Sequence, residues 1–157
     1  MMISVCPFKN NDAPLLAALM LEMTQFYGAL VDPSRVIVDE IVRQSEIMDI
    51  LVAWSGQEMV GFATFGSLFP VAGLISLTYV QQIYVAKNAR RMGVAQRLMS
   101  GVAGVAVARG STRVEWSTSK DNLAAQALYR GLGAVGSEKV QYVLEGDKLA
   151  RLAALTY

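Results

Sequence analysis

The chain has 157 residues, 54% of them hydrophobic, and a formal net charge of +1. This length predicts one compact domain, residues 1–157, with a full core, and the small charge argues against a basic face for nucleic acid. The sequence contains no histidine, which excludes Ser-His-Asp hydrolysis, histidine general-base catalysis and the usual zinc sites, so we expect no metal.

No segment is typical of export or membrane insertion. Met1 to Asn10 lacks a charged start followed by a long apolar run. The longest weakly polar stretch, Met99 to Ala108, is much shorter than the ~20 apolar residues that a bilayer requires. We therefore expect a cytoplasmic protein with no membrane partner. Cys6 is the only cysteine, and because no histidine can activate it, we expect an inert thiol.

The N-terminal third predicts a strand followed by two helices. Ile3 to Phe8 is typical of a short strand. Asn11 to Pro14 predicts a helix start, because a capping residue precedes a proline in the first turn, and Gly28 ends that helix. Asp32-Pro33-Ser34 predicts the start of a second helix.

The middle of the chain is rich in strand-forming residues. Leu51 to Trp54 and Met59 to Phe65 flank a polar turn and predict a hairpin. Gly66 to Ser76, which contains proline and glycine, predicts a loop or a ragged strand end. Leu77 to Val85 predicts a long strand.

The last part alternates helices and strands. Val94 to Arg109 predicts a helix that Gly110 ends. Further elements are a strand, a helix with a glycine C-cap, another strand and a last strand near the C-terminus: Arg113 to Ser117, Asn122 to Arg130, Val140 to Leu144 and Leu152 to Thr156.

The predicted order is β-α-α-β-β-β-α-β-α-β. Strand, helix and strand in succession, twice, favour an α/β fold, while the hairpin makes the central sheet mixed. We find no internal repeat, low-complexity stretch or linker.

The turn between the strand ending at Val85 and the helix beginning near Val94 has the composition of an anion site. A helix N-terminus offers unpaired N–H groups and a partial positive charge. Gly93 and Ala95 let a phosphate approach the main chain, and Arg90 and Arg91 add charge. The turn alone leaves open an ordinary strand-helix connection with surface arginines.

Two motifs resemble the GNAT family of N-acetyltransferases. The spacing Arg90-x-x-Gly93-x-Ala95 matches neither the P-loop nor the three-glycine dinucleotide turn, but it matches the Arg/Gln-x-x-Gly-x-Gly/Ala signature of that family. About 30 residues later, Asn122-x-x-Ala125-x-x-Leu128-Tyr129, preceded by Val114 to Trp116, resembles the second half of the family domain. The resemblance extends to the hairpin and so covers most of the chain.

The resemblance implies a GNAT fold, with a sheet of six to seven strands, about four helices, and a splayed pair of parallel strands holding acetyl-CoA. The pantetheine arm would lie along one strand and the pyrophosphate on the turn. The residues that the resemblance places at the cofactor are Ile83, Tyr84, Val85, Arg90, Arg91, Met92, Gly93, Val94, Ala95, Gln96, Asn122, Ala125 and Tyr129.

The resemblance also implies catalytic residues. Tyr129 matches the tyrosine near the sulfur, where its O–H can protonate the departing thiolate, although a packed core tyrosine is the alternative. Many relatives carry a glutamate where this chain has Gln81 or Gln82, so a direct carboxylate base is in doubt. Gln81 could order a water that carries the proton away. Glu115 is a weaker candidate, and we assign no base.

The acceptor is less defined. Two sets of residues resemble the diamine and polyamine acetyltransferase branch of the family: Glu115-Trp116 with Asn122, and Phe26-Tyr27-Gly28. Acidic residues lie in the segment that lines the acceptor cleft of relatives, namely Glu22, Asp32, Asp39 and Glu40. An unspecified small primary amine or amino acid is the broader expectation. Surplus apolar residues and the habit of the family favour a homodimer.

Two rival functions remain open. A non-catalytic acyl-CoA sensor of the same fold would explain the amides at Gln81 and Gln82. A phosphate- or nucleotide-binding regulatory domain would use Arg90 and Arg91, and it predicts comparable binding of ATP and CoA.

Overall fold

A computed structural model describes residues 2–31 and 37–155. It contains two compact units, Met1–Asn122 and Leu123–Tyr157. Within the described residues, all strands belong to the first unit and the second contains two helices. The α/β fold class expected from the sequence is confirmed.

Five strands form one sheet in the order β1-β2-β3-β4-β5. The first three neighbouring pairs are antiparallel and the last pair is parallel, so the sheet is mixed as expected. The strands are β1 Ile3–Pro7, β2 Asp49–Ser55, β3 Glu58–Val71, β4 Ile75–Val85 and β5 Val114–Glu115.

Five α-helices lie in the described part of the chain. Two short 3-10 turns precede α1 and α3, at Asn10–Asp12 and Lys87–Ala89. The helices are α1 Ala13–Phe26, α2 Ile37–Gln44 and α3 Val94–Ala108 in the first unit, and α4 Leu123–Gly131 and α5 Gly146–Ala153 in the second.

The helix signals of the sequence agree with the structure where it is described. Pro14 lies in the first turn of α1, where its missing N–H costs no hydrogen bond. Gly28 follows the helix with a φ of 68°, in the region that glycine adopts without strain. The predicted helix start at Asp32-Pro33-Ser34 lies outside the described residues.

Helices cover both faces of the sheet. A Cβ added to Gly61 of β3 would lie 3.0 Å from Val94 Cγ1 and 3.2 Å from Leu98 Cδ1, so α3 packs directly on this face. The next residue, Phe62, points to the opposite face and contacts the Tyr84 ring, which lies beside Phe26 of α1. The alternation explains why Met59 to Phe65 is buried without interruption.

Strands β4 and β5 pair over a very short distance. Their register has only Thr78 opposite Val114 and Tyr79 opposite Glu115, and the Thr78 amide donates to the Arg113 carbonyl at 3.1 Å. β4 continues to Val85, and no strand of the described residues pairs with that edge beyond Tyr79. The parallel pairing therefore ends after Tyr79, which agrees with the expected splayed strand pair.

Several sequence predictions about strands are corrected. Of the two alternatives for Gly66 to Ser76, the structure agrees with the ragged strand end and not with the loop: β3 continues to Val71 with a register shift after Leu68, and β4 begins at Ile75. Within residues 2–31 and 37–155 the sheet has five strands rather than six to seven. The predicted strand Arg113 to Ser117 shortens to Val114–Glu115.

The C-terminal predictions are also corrected. Val140 to Leu144 has no regular structure, because local β-propensity forms a strand only where a partner is available. The final strand near Leu152 is wrong, since Leu152 belongs to α5. Asp147 in the first turn and Arg151 in the last turn of α5 match the helix dipole. Thr156 lies outside the described residues.

Across residues 2–31 and 37–155, every helix is too short or too polar to pass through a lipid bilayer.

Candidate active site

A β-bulge lies in β4 at Gln81. Thr64 of β3 pairs with Gln82 and the next residue, Phe65, pairs with Val80, so Gln81 is left without a partner across the sheet. The Gln81 side chain is exposed and that of Gln82 is half-buried. Because a bulge shifts the direction of the following groups, Gln81 marks the point where the open edge of β4 begins.

Beyond the bulge, alternate residues of β4 turn their backbone groups away from β3. The Ala86 amide donates to the Val60 carbonyl at 2.9 Å, so Tyr84, two residues earlier, also directs its N–H and C=O to β3. Ile83 and Val85 direct theirs to the opposite edge. Ile83 therefore offers a main-chain donor and acceptor and Val85 offers a donor, beyond the point where the pairing of β4 with β5 ends, while the Val85 carbonyl accepts from Arg90.

The open edge leads to the N-terminus of α3. Gly93 is the N-cap residue, and the first helical bond of this turn runs from the Arg97 amide to the Gly93 carbonyl at 3.1 Å. No group of the described residues accepts a hydrogen bond from the amides of Val94, Ala95 or Gln96, as expected for a first helical turn. These amides form a ready anion site.

The two arginines of the turn have different environments. The Arg90 guanidinium lies 4.1 Å from the centre of the Phe26 ring and 5.8 Å from that of Tyr84, and its Nε donates to the Val85 carbonyl at 3.3 Å. Arg91 is exposed and has a φ of 67°, which is uncommon for a residue with a side chain. Arg91 makes no ion pair with any described residue, so its charge is available to a ligand.

The sequence profile of the "Acetyltransferase (GNAT) family" matches residues 16–134 of the chain. The chain belongs to the GNAT acetyltransferase family. The matched range includes the bulge, the open edge and the turn before α3. A comparison with curated proteins finds no match.

Solved structures share the fold of this GNAT protein. An integron cassette protein from the mobile metagenome of V. cholerae superposes with a TM-score of 0.79 at 22% identity, covering 99% of both chains. A ribosomal-protein-alanine N-acetyltransferase from Brucella melitensis biovar Abortus 2308 superposes with a TM-score of 0.75 at 20% identity, covering 92% of this chain and 99% of that one. AAC(6')-Iy in complex with the bisubstrate analogue CoA-S-monomethyl-acetylneamine superposes with a TM-score of 0.74 at 19% identity, covering 93% of this chain and 99% of that one.

The second GNAT motif is divided between the two units. Asn122 ends the first unit, whereas Ala125 and Tyr129 belong to the second. Ala125 and Tyr129 lie four residues apart on α4 and therefore on the same face of that helix. The Tyr129 carbonyl accepts from the Ala134 amide at 3.0 Å, which closes the end of the helix.

Glu115, the weaker candidate base of the GNAT protein, has a cationic neighbour. Arg113 Nε lies 3.0 Å from Glu115 Oε1, and both side chains are partly exposed. This ion pair agrees with a structural role for Glu115. Among the described residues, no three of Cys, Asp and Glu come together as a metal site would require.

A contact between α1 and the turn was not foreseen from the sequence. Tyr84 is 3% exposed, and its hydroxyl donates to Glu22 Oε1 at 2.9 Å. Burial first, and Glu22 second, raise the Tyr84 pKa above its ordinary value of about 10. The four-residue spacing of Glu22 and Phe26 was the available signal, since it puts both on one helix face.

Replacing Gly93 by alanine should destabilise the GNAT protein by about 1–2 kcal/mol. Gly93 has a φ of 77°, and no atom lies within 4 Å of the position of an added Cβ. The cost is therefore conformational, and Gly93→Asn should recover part of it because asparagine tolerates this region better. Urea unfolding of the three proteins measures the effect. Equal stability of wild type and Gly93→Ala would contradict the left-handed turn.

Proposed function

We propose that this GNAT protein is an acetyl-CoA-dependent N-acetyltransferase that transfers the acetyl group to a primary amine of a small molecule. One observation carries the proposal. The strand whose edge is open at Ile83 and Val85 is followed along the chain by the turn that ends in the unpaired amides of Val94, Ala95 and Gln96. A molecule with amides at one end and a diphosphate at the other matches this sequence of donors and acceptors.

The residues present fit acetyl-CoA in the proposed site. Ile83 and Val85 would hydrogen-bond the pantetheine arm as an added strand would. The amides from Arg91 through Met92 and Gly93 to Gln96 would receive the diphosphate, with the exposed Arg91 side chain adding charge. Arg90 would support the turn, and Tyr84 would support the strand behind it. Asn122 and Ala125 would contact the cofactor as the family resemblance implies.

The proposed reaction is a direct attack of the amine on the thioester in a ternary complex. A lysine-like amine has a pKa near 10.4, so its neutral form costs roughly 4–5 kcal/mol at pH 7. Gln81 is exposed at the bulge, where its amide could order the water that removes this proton. The N–H of Val85 could stabilise the oxyanion, and Tyr129 would protonate the departing thiolate.

Three further features belong to the same proposal. Residues 1–157 would function as one acetyltransferase domain, and its setting would be the cytoplasm. The active form would be a homodimer, which suits the apolar composition of the chain, 54% hydrophobic. A small amine is supported by the bisubstrate analogue in the complex of AAC(6')-Iy, a protein of the same fold.

Thiol release from acetyl-CoA, measured with diamines, polyamines, amino acids and amino sugars, tests the function. We expect turnover with at least one of these amines, and a peptide with a free N-terminus provides the contrast with protein acceptors. CoA binding without turnover on any amine would favour the acyl-CoA sensor. Equal affinity for ATP and CoA would instead favour a nucleotide-binding regulatory domain.

A further inference from the structure

Glu22 connects α1 to the turn that precedes α3. Its Oε1 atom accepts two hydrogen bonds, from the Tyr84 hydroxyl at 2.9 Å and from the Lys87 amide at 3.0 Å. Lys87 is the first residue of the 3-10 turn that leads to Arg90. One carboxylate thus holds both the end of β4 and the start of the turn.

The last turn of α1 also contacts the other end of this connection. Phe26 lies four residues after Glu22, on the same helix face. The Arg90 guanidinium carbon lies 4.1 Å from the centre of the Phe26 ring. Stacking of arginine on an aromatic ring is favourable, especially away from water. The turn is therefore attached to α1 at Lys87 and again at Arg90.

The conformation of the turn needs such support. Arg91 and Gly93 both have positive φ, at 67° and 77°. A residue with a side chain keeps this conformation only when its surroundings impose it. The Val94, Ala95 and Gln96 amides can meet a diphosphate together only if the residues before them hold one conformation.

We propose that Glu22 is a positioning residue for cofactor binding: by holding Tyr84 and the Lys87 amide, its carboxylate fixes the turn that presents the α3 amides to the diphosphate. This inference rests on the proposed function for its ligand. It gives Glu22 a role distinct from binding the acceptor amine. It also gives a role to a half-buried carboxylate near the C-terminus of α1.

The test compares a donor that has the diphosphate with one that lacks it. For Glu22→Ala we expect CoA affinity, measured by calorimetry, to fall about tenfold, the size of one lost charge-assisted hydrogen bond. The KM for acetyl-CoA should rise with it, whereas kcat/KM for acetyl-pantetheine should stay near the wild-type value. Glu22→Gln keeps an acceptor oxygen, so its CoA affinity should lie between those of the wild type and Glu22→Ala.

Asp49→Ala is the matched control. Asp49 accepts two hydrogen bonds from the Arg109 guanidinium at the far end of α3. Replacing Asp49 therefore removes a carboxylate contact without changing the turn. CoA affinity should remain that of the wild type. An unchanged affinity in folded Glu22→Ala, or an equal loss for both donors, would overturn the inference.

Hydrogen exchange of the free protein provides a readout that needs no cofactor. We expect the Lys87 amide to exchange faster in Glu22→Ala than in the wild type, and the Asp49→Ala protein to show no change there. If Glu22→Ala does not fold, the same measurement on Glu22→Gln decides, because a neutral acceptor holds the Lys87 amide less strongly than a carboxylate does. Exchange at Lys87 that is unchanged in Glu22→Gln would then overturn the inference. If the Lys87 amide exchanges faster in the Glu22 variant than in the wild type but the wild type binds no CoA, the proposed function is wrong while the contact between Glu22 and Lys87 is confirmed.

Discussion

Replacing Tyr129 by phenylalanine is expected to lower kcat with acetyl-CoA by about 10²-fold, while CoA affinity changes little. The proposed role of the phenol is to give a proton to the thiolate as it departs, and general acids typically contribute this much. The ring of phenylalanine retains the packing of the tyrosine on α4. Steady-state kinetics together with calorimetric CoA affinity separates the chemical step from binding.

Tyr142→Phe is the control for this change. Tyr142 also belongs to the second unit, but it lies outside α4 and is exposed, so the same loss of a hydroxyl should leave kcat unchanged. A Tyr129→Phe enzyme with the kcat of the wild type would show that Tyr129 is only a packing residue. A fall in CoA affinity equal to the fall in kcat/KM would assign it to binding instead.

Replacing Gly61 by alanine is expected to destabilise the protein by about 3 kcal/mol, the upper range for overpacking in a core. The added Cβ would lie 2.9 Å from the Tyr84 carbonyl oxygen, as well as against Val94 and Leu98. The oxygen belongs to the paired strand and cannot move without disturbing the sheet. The thermal midpoint should fall by roughly 10 °C.

Gly104→Ala is the opposite case within the same chain. Gly104 is an exposed residue inside α3, and a Cβ there would meet no atom within 4 Å. Alanine should therefore stabilise the protein by about 1 kcal/mol. Thermal melts of both variants check the pair. A Gly61→Ala protein as stable as Gly104→Ala would contradict the close approach of α3 to β3.

The sequence predicted the first unit well because its signals are local. Pro14 and Gly28 delimit α1, and the glycine at 93 precedes a helix that begins at Val94, as expected. The predicted hairpin is also present, as β2 and β3. The segment from 140 to 144 shows the limit, since a strand depends on a partner that residues nearby in sequence do not supply.

The candidate site was predicted in its backbone but not in its side-chain contacts. The motif Arg90-x-x-Gly93-x-Ala95 indicated the amides of α3. It did not indicate that Arg90 stacks on Phe26 or that Glu22 reaches Lys87, because these contacts join residues more than 60 positions apart. The bulge at Gln81 was equally hidden, since it depends on the register between two strands.

The bulge also makes the number of residues in β4 more critical than their identity at one position. Gln81 adds one residue to β4 that β3 does not match, while the pairs on either side of it keep their register. A substitution there keeps the extra residue and with it the bulge. A deletion would make the pairs Val80–Phe65 and Gln82–Thr64 consecutive, so the ladder would become regular and Tyr84 would stay opposite Phe62. The loss would be the local bend with which the bulge sets the direction of the strand that ends at Val85.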